Sequence, residues 1–314
     1  MTKREIGLGL QGDRPPGEYA KIAKLAEEYG IDVLTVFSDL MYQPAIVPLM
    51  AAALNTSRIR LGPACLNPFT LHPVEIAGQI AALDLACNGR AYLGLARGAW
   101  LEKIGIQPAR PVRALREAAE IVRLLLGGDR DGYRGEIFSV APGTSLQFNV
   151  QRSSVPLLIG TWSPKTAALA GEIADEVKIG GSANPAMVRR MRELIDVGTK
   201  RAGRSSEDVG IVVGAVTVVA DDGAAARRLA RSAVAMYLAI VGRLDPTTED
   251  PAGGPISDDV LNRFAMAGTP DEVAEQAASL FAAGARRVEF GSPHGLTDEE
   301  GIRLLGERVL PRLR

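Results

Sequence analysis

Two apolar runs near the middle of the chain end in glycine and have the pattern of an anion-binding junction. Residues 155–160 read VPLLIG, and residues 174–181 read ADEVKIGG. The first run is followed by Ser163, a natural helix N-cap, and by Pro164, which suits the first helical position. Free N–H groups and the helix dipole at such a junction favour a phosphate. The pattern predicts a phosphate-bearing cofactor held by Gly160, Thr161, Trp162, Ser163, Ile179, Gly180 and Gly181.

Three titratable residues are candidates for proton transfer. Asp39 follows a short apolar run, where a carboxylate can face a ligand; the alternative is a helix cap or turn residue. Glu289 lies within a later apolar run, and burial inside a barrel would raise its pKa and make it a proton donor. The alternative for Glu289 is an ion pair with Arg286 or Arg287. His294 follows the same run and is the third candidate, and its alternative is a structural role.

Polar residues after two other runs are candidates for ligand binding. Asn67 precedes Pro68, so its amide can bind a cofactor ring or simply stabilise a turn. Arg97, followed by Gly98, can clamp a phosphate or a carboxylate, or form a surface ion pair. Trp162 can cover a cofactor or pack between a strand and a helix. The two cysteines and two histidines lack metal-ligand spacing, so we predict no metal site.

Short apolar runs alternate with helical patterns along the whole chain. We predict helices at 16–29, 43–55, 73–87 and 111–126, and strands at 6–10, 33–37, 59–65, 91–95, 155–160, 174–180, 209–219 and 285–291. This order favours one α/β domain over residues 1–314, a (β/α)8 TIM-like barrel, with an open doubly wound sheet as the alternative. Alternating residues at 131–151 predict a β-hairpin inserted before the fifth strand. Residues 243–257 predict an irregular excursion before the eighth strand.

Composition restricts the possible partners. The chain is 46% hydrophobic and 23% charged, with a formal net charge of −1, so neither nucleic acid nor an anionic membrane is expected as a partner. We see no signal peptide and no apolar run long enough to span a bilayer. We therefore expect a cytoplasmic protein.

Several motifs together resemble the bacterial-luciferase-like superfamily. They are ALNTSRIRLGPACLNPFTLHP at 53–73, NGRAYLGLA at 88–96, LAGEIADEV at 169–177, GTPDEV at 268–273 and GSPHG at 291–295. Among the branches of the superfamily, the chain is most similar to the coenzyme F420-dependent methylenetetrahydromethanopterin reductases. The resemblance covers nearly the whole chain.

The resemblance implies a barrel that binds F420 at the carboxyl ends of its strands, and it implies a homodimer. It places a cis peptide bond between Ala64 and Cys65, bulging toward the deazaflavin ring, and it places Asp39 near that ring. It makes Asn67 a neighbour of the ring edge. Cys65 has no neighbouring base in the sequence, so we expect a buried, unreactive thiol.

Two departures from the family pattern bear on the substrate. The pterin reductases carry acids at positions that read Gly9 and Ala99 here. We therefore expect the vacated volume to admit another substrate, and an F420H2-dependent reductase of a C=N or activated C=C bond. The alternatives are an FMN-dependent monooxygenase, a methylene-pterin or folate reductase using F420H2 or NADH, and a flavin-binding protein without enzymatic activity.

Overall fold

The computed structural model describes residues 4–247 and 256–314, and parallel strands form its centre. The strands, in chain order, are β1 (Glu5–Leu10), β2 (Val33–Phe37), β3 (Arg60–Ala64), β4 (Leu93–Ala96), β5 (Tyr133–Arg134), β6 (Ser139–Val140), β7 (Leu157–Gly160), β8 (Glu176–Gly180), β9 (Gly210–Val219), β10 (Ala265–Gly268) and β11 (Arg287–Gly295).

Eight of these strands form a barrel in the order β3-β2-β1-β11-β9-β8-β7-β4. Every pair along this path is parallel. The two ends meet through isolated bridges from Leu61 to Ala91 and from Leu66 to Leu95, which bring β3 beside β4. The predicted (β/α)8 TIM-like barrel is confirmed, and the open sheet is excluded.

Helices cover the outside of the barrel. They are α1 (Pro16–Glu28), α2 (Ile46–Ala53), α3 (Pro73–Ala86), α4 (Pro111–Gly127), α5 (Pro164–Ile173), α6 (Pro185–Arg201), α7 (Gly223–Val241), α8 (Asp258–Phe264), α9 (Pro270–Ala282) and α10 (Asp298–Leu304). Six of them begin with proline near the first position, where the missing N–H has no acceptor to lose. Apolar side chains of strands and helices form one large core between the two layers.

The predicted insertion is a much shorter hairpin than the sequence pattern indicates. β5 and β6 pair antiparallel over two residues each, and the alternating run at 145–150 forms no strand. The buried carboxylate of Glu117 on α4 holds the turn by accepting bonds from the N–H groups of Glu136, Ile137 and Phe138. A side chain therefore replaces the backbone ladder that a longer hairpin would have used.

The region before the last barrel strand contains elements that the sequence analysis did not predict. α8 leads into β10, which pairs in parallel with the outer end of β9. The predicted excursion at 243–257 falls partly outside the described residues. Its described ends at 243–247 and 256–257 contain no helix or strand.

Candidate active site

The interior of the barrel is closed by side chains below and open above. Alternation along each strand turns Lys178 and Gly180 of β8 toward the interior and Ile179 toward the helices. A Cβ atom added to Gly180 would meet no other atom within 4 Å, so this glycine faces open space at the carboxyl ends of the strands. Ile179 was predicted to contact the cofactor, but its side chain is fully buried and faces away from the mouth.

Phe37 forms part of the floor of this opening. A Cβ atom built on Gly9 would lie 2.7 Å from Cζ of Phe37, so the ring packs directly on the β1 backbone. The nitrogen of Lys178 lies 5.2 Å from the centre of the same ring. The place of the strand-one acid is therefore filled by an aromatic ring. The expectation that Gly9 vacates volume for a larger substrate is wrong.

A buried ion pair lies beneath the floor. Lys178 and Glu289 contact each other, and Arg287 Nε lies 3.0 Å from the other carboxylate oxygen of Glu289, which also accepts a 2.9 Å bond from Thr35. Although burial opposes ionisation, Lys178 and Arg287 lower the pKa of Glu289. The expected rise in this pKa is wrong, because two cations outweigh the desolvation. Glu289 is a carboxylate here and not a proton donor.

The ion pair continues toward the lower end of the barrel. Arg287, which is fully buried, lies 3.1 Å from Glu176 and 4.0 Å from Glu5, and its guanidinium faces the ring of Tyr92 at 5.2 Å. Arg60 contacts the same two carboxylates, Glu5 at 3.0 Å and Glu176 at 3.7 Å. The interior therefore contains alternating charges that neutralise each other.

Asp39 lies at the carboxyl end of β2, close to the opening. Burial raises the pKa of Asp39, against the opposing effects of a hydrogen bond from Gln11 and the charge of Lys178. The Gln11 amide donates to Oδ2 at 3.2 Å, and within the described residues no hydrogen bond reaches Oδ1. Asp39 therefore combines a raised pKa with a free oxygen at the mouth, as a proton donor requires.

The bond between Ala64 and Cys65 is cis, as the resemblance implied. The Sγ atom of Cys65 packs against Gly160, where a Cβ atom would come within 2.8 Å of the sulfur. Burial raises the pKa of the Cys65 thiol to about 12. A raised pKa keeps the thiol protonated, and the thiolate is the nucleophile. This agrees with the expectation of an unreactive thiol.

Asn67 has the turn role that was its alternative. Its Oδ1 accepts bonds from the N–H groups of Phe69 and Thr70 at 3.1 and 2.9 Å. Asn67 also packs against Gly98, which has a φ of +86°. A Cβ atom built on Gly98 would lie 3.1 Å from Cγ of Asn67. The loops after β3 and β4 are thus locked together, and contact of Asn67 with a cofactor stays a prediction.

Three of the seven residues predicted to bind the phosphate use their amide N–H groups in hydrogen bonds within the protein. The N–H of Thr161 donates to Lys178 O at 3.0 Å, that of Gly181 to Gly214 O at 2.6 Å, and that of Ser163 to Thr161 Oγ1 at 2.9 Å. Trp162 spans the two loops and donates from Nε1 to Gly180 O at 3.0 Å. The first N–H groups of α5 have no such acceptor among the described residues.

The start of α5 matches the sequence prediction but lacks the side-chain cap. Ser163 is the N-cap residue and makes no capping bond, and Pro164 follows. The N–H groups of Lys165 and Thr166 therefore have no acceptor within the helix. Because the helix dipole also points at this end, the junction is suited to an anion.

His294 was expected at the mouth of the barrel, but its side chain is fully buried. Its Nε2 lies 3.1 Å from Gly9 O, and its Nδ1 lies 3.4 Å from Asp298 Oδ1. Burial opposes the ionisation of Asp298, yet hydrogen bonds from His294 and Arg14 lower its pKa. Both ring nitrogens join β1 to α10, so His294 holds the structure together at this end of the barrel.

A cluster of cations beside the mouth was not predicted. Arg97, which was predicted, lines a groove of about 660 Å³ together with Arg110, Arg113, Arg116 and Lys165. Arginines at every third position of 110–116 were the available sequence signal, because i and i+3 residues share a helix face. They belong to the start of α4, which the sequence analysis treated as an ordinary barrel helix.

Comparison with known proteins agrees with this arrangement. The family model for luciferase-like monooxygenases matches residues 1–287. The chain belongs to this family. Among the described residues of this chain, no helix is both long enough and apolar enough to cross a bilayer. Nor do those residues contain a group of three or more histidine, cysteine, aspartate or glutamate side chains arranged to hold a metal.

Similar members of the luciferase-like family use F420. The chain is 32% identical to 5,10-methylenetetrahydromethanopterin reductase of Archaeoglobus fulgidus, over 99% of this chain and all of the relative. It is 29% identical to F420-dependent glucose-6-phosphate dehydrogenase of Microbacterium testaceum, over 95% and 94% of the two chains. The solved structure of coenzyme F420-dependent tetrahydromethanopterin reductase from Methanopyrus kandleri superposes with a TM-score of 0.86, at 26% identity, over 99% and 100% of the two chains.

Proposed function

We propose that this protein uses reduced F420 to reduce a C=N or activated C=C bond of a small molecule. That it is an F420-dependent oxidoreductase rests on near full-length similarity to two groups of F420-dependent enzymes. The finer choice of substrate rests on one observation. At the floor of the mouth, the ring of Phe37 packs on Gly9, the position at which the resemblance to the pterin reductases implies an acid.

The residues at the mouth suit this cofactor. Gly180 leaves the opening above Lys178 unobstructed, so a flat ring can enter. The free amides at the start of α5, with Arg97 and Lys165 beside them, suit the phosphate of its side chain. The peptide bond between Ala64 and Cys65 is cis, and the family resemblance predicts that it lies beside the ring. When bound, reduced F420 supplies a hydride.

The chain's own residues would supply the proton and exclude water. Reduction of a C=N bond places a hydride on carbon and requires a proton on nitrogen. Asp39 has a raised pKa and a free oxygen at the mouth, so we assign it the proton. Phe37 and the bonded Lys178–Glu289 pair close the floor to water.

The alternative with the strongest support is reduction of methylenetetrahydromethanopterin, because a relative with that name is 32% identical over nearly the whole chain. General acid catalysis contributes about 10²–10⁴-fold in rate. Since Gly9 and Ala99 cannot donate a proton, we expect the methylene pterins and methylene folates to be poor substrates.

Two measurements test the proposal. F420 and FMN are titrated against the protein in the same buffer, and binding of FMN without binding of F420 would contradict the cofactor. F420H2 oxidation is then followed with cyclic imines, enones and methylene pterins. Rapid turnover of a methylene pterin would contradict the proposed substrate class and support a role in one-carbon metabolism.

A homodimer and a cytoplasmic location stay predictions. Size-exclusion chromatography with light scattering would test the homodimer.

A further inference from the structure

Gln11 extends from a loop between β1 and α1 whose backbone is held on two sides. The Gln11 carbonyl accepts a 2.7 Å bond from the hydroxyl of Tyr19, a fully buried residue of α1. The same hydroxyl accepts a 3.0 Å bond from the N–H of Arg14. The Arg14 side chain in turn donates from Nε at 3.1 Å to Asp298 Oδ2, on the first residue of α10. The loop is therefore anchored to two helices, and the Gln11 side chain leaves it from a fixed point.

The loop that carries Asp39 is bonded to the loop that carries Gln11. After Asp39, Gln43 donates from its backbone N–H to Gly12 O at 3.0 Å and from Nε2 to Arg14 O at 2.6 Å. Between the same loops, Gln11 Nε2 donates to Asp39 Oδ2 at 3.2 Å. Because backbone and side-chain bonds join the two loops, the amide of Gln11 and the carboxyl group of Asp39 are held beside each other.

This contact makes the two oxygens of the Asp39 carboxyl group different. An amide nitrogen has hydrogens to donate and no lone pair with which to accept, so Oδ2 must act as an acceptor. A proton on the carboxyl group then belongs on Oδ1, which receives no hydrogen bond from residues 4–247 or 256–314. The amide of Gln11 therefore selects the oxygen that carries the proton.

The groups around Asp39 act on its pKa in opposite directions. Burial raises this pKa, whereas the bond from Gln11 and the charge of Lys178 on β8 lower it. The charge of Asp39 also acts on the thiol of Cys65, whose own pKa burial raises to about 12, so that thiol is neutral. Gln11 itself does not titrate, and its amide stabilises the carboxylate that remains after a proton has left.

We propose that Gln11 is a positioning residue that binds Oδ2 of Asp39 and so leaves Oδ1 to deliver the proton. This rests on the proposed function, because it takes Asp39 as the proton donor. With a C=N substrate, the O–H bond at Oδ1 breaks and an N–H bond forms, while the carbon receives the hydride of the reduced cofactor. The carboxylate left behind keeps its bond from Gln11 and regains a proton from water.

The first test titrates Asp39 in the protein without cofactor or substrate. The aspartate carboxyl carbons are isotope-labelled for NMR, and the Asp39 signal is the one that Asp39→Asn removes. Gln11→Met keeps the length of the side chain without its donor, and Gln11→Leu removes the donor with a different shape. Since the lost bond favours the carboxylate, both variants should raise the pKa of Asp39, by about one pH unit.

The matched control is Gln151→Met, between β6 and β7, because Gln151 Nε2 also donates at 3.2 Å, to Asn88 Oδ1 on the surface. This variant should leave the pKa of Asp39 unchanged. An unchanged pKa in both Gln11 variants would overturn the proposal. A lowered pKa would overturn it too, because the amide oxygen of Gln11 would then be accepting a proton carried by Oδ2.

The second test is kinetic and separates the role of Gln11 from the proposed function. F420H2 oxidation with a cyclic imine is followed across pH. In Gln11→Met, the fall in kcat/KM should move to higher pH by the same interval as the NMR titration, and kcat below the fall should be lower than in wild type. A titration that moves without any change in the rate profile would refute Asp39 as the proton donor. A titration that does not move refutes the role of Gln11 alone.

Discussion

The ring of Phe37 packs on the backbone of Gly9, with the Cζ atom 2.7 Å from where a Cβ atom of residue 9 would lie. Two neighbouring strands thus fix the floor of the mouth through one aromatic ring and one absent side chain. Because the ring also faces Lys178 at 5.2 Å, its position is set from two sides. A change at either residue must therefore act on the other.

Gly9→Ala should destabilise the protein by about 1–3 kcal/mol, since the new methyl group overpacks against Phe37. Gly17→Ala is the control, because a Cβ atom there meets nothing within 4 Å and α1 gains a better helix former. Urea unfolding gives both free energies of unfolding. Recovery of stability in Gly9→Ala/Phe37→Leu would identify the ring as the cause, and no loss in Gly9→Ala would contradict the packing.

Lys178→Met should cost about 3–5 kcal/mol, because it leaves the buried carboxylate of Glu289 without its closest cation. The double variant Lys178→Met/Glu289→Leu should be closer to wild type, since both buried charges are gone and Arg287 keeps Glu176. The free energies of unfolding of both variants are compared with wild type. Equal losses in the single and the double variant would show that the pair is not coupled.

Asp39→Asn should remove the fall in kcat/KM as pH rises through the raised pKa of Asp39, because only the protonated acid donates. A pKa raised by folding stabilises the protein at low pH, and this contribution is lost as pH rises through the folded-state value. The variant should therefore be at least as stable as wild type at neutral pH. Asp221→Asn, at an exposed ion pair with Arg308, is the control. An unchanged pH profile in Asp39→Asn would assign the proton to another group.

Glu117→Gln should loosen the β5–β6 hairpin, since the carboxylate accepts three backbone N–H bonds. Although burial opposes ionisation, these bonds lower the pKa of Glu117, so its stabilisation is present above the unfolded pKa and is lost as pH falls. We expect a loss of about 1.5–3 kcal/mol at neutral pH that shrinks in acid. Urea midpoints at both pH values measure it, with exposed Glu193→Gln as the control. A loss independent of pH would argue against the charge.

The thiols should be inert in the folded protein. Burial raises the pKa of Cys65 to about 12 and also raises that of Cys87. A maleimide reagent near neutral pH should therefore modify neither cysteine in the native state and both in urea, as mass spectrometry would show. Rapid native labelling that disappears in Cys65→Ala would reveal an accessible thiolate beside the cis bond.

The barrel could be predicted because its strands are local features. Five of the eight predicted runs stop at glycine or before a polar residue, and this pattern is visible without any long-range contact. The hairpin shows the limit. The alternation at 145–150 indicates a strand, yet Glu117, on a helix, supplies the acceptors for the turn and makes a longer ladder unnecessary. β10 was missed because its four residues pair only with the far end of β9.

The site was predicted less well because its properties depend on residues distant in the chain. The ion pair of Glu289 with Arg287, an alternative visible in the sequence, is present. Lys178, the other partner of Glu289, lies 111 residues away in the sequence. The charge of Lys178 contributes to a lowered pKa of Glu289, where the sequence analysis expected a raised one. Asp39 could be proposed from the sequence because it comes two residues after the end of β2, and its role as proton donor stays a prediction. The cluster of cations beside the mouth was missed because it combines residues of α4 and α5, two helices that are separate in sequence.

The buried pair of Lys178 and Glu289 also restricts how this barrel can change over generations. Loss of either partner alone leaves an unpaired charge in the interior, so a lineage must cross an unstable intermediate to reach an apolar floor. The two positions should therefore be inherited as a unit and replaced together. Anyone who reshapes the floor for a new substrate should change both codons in the same step, because a library that varies only one should return mostly destabilised proteins.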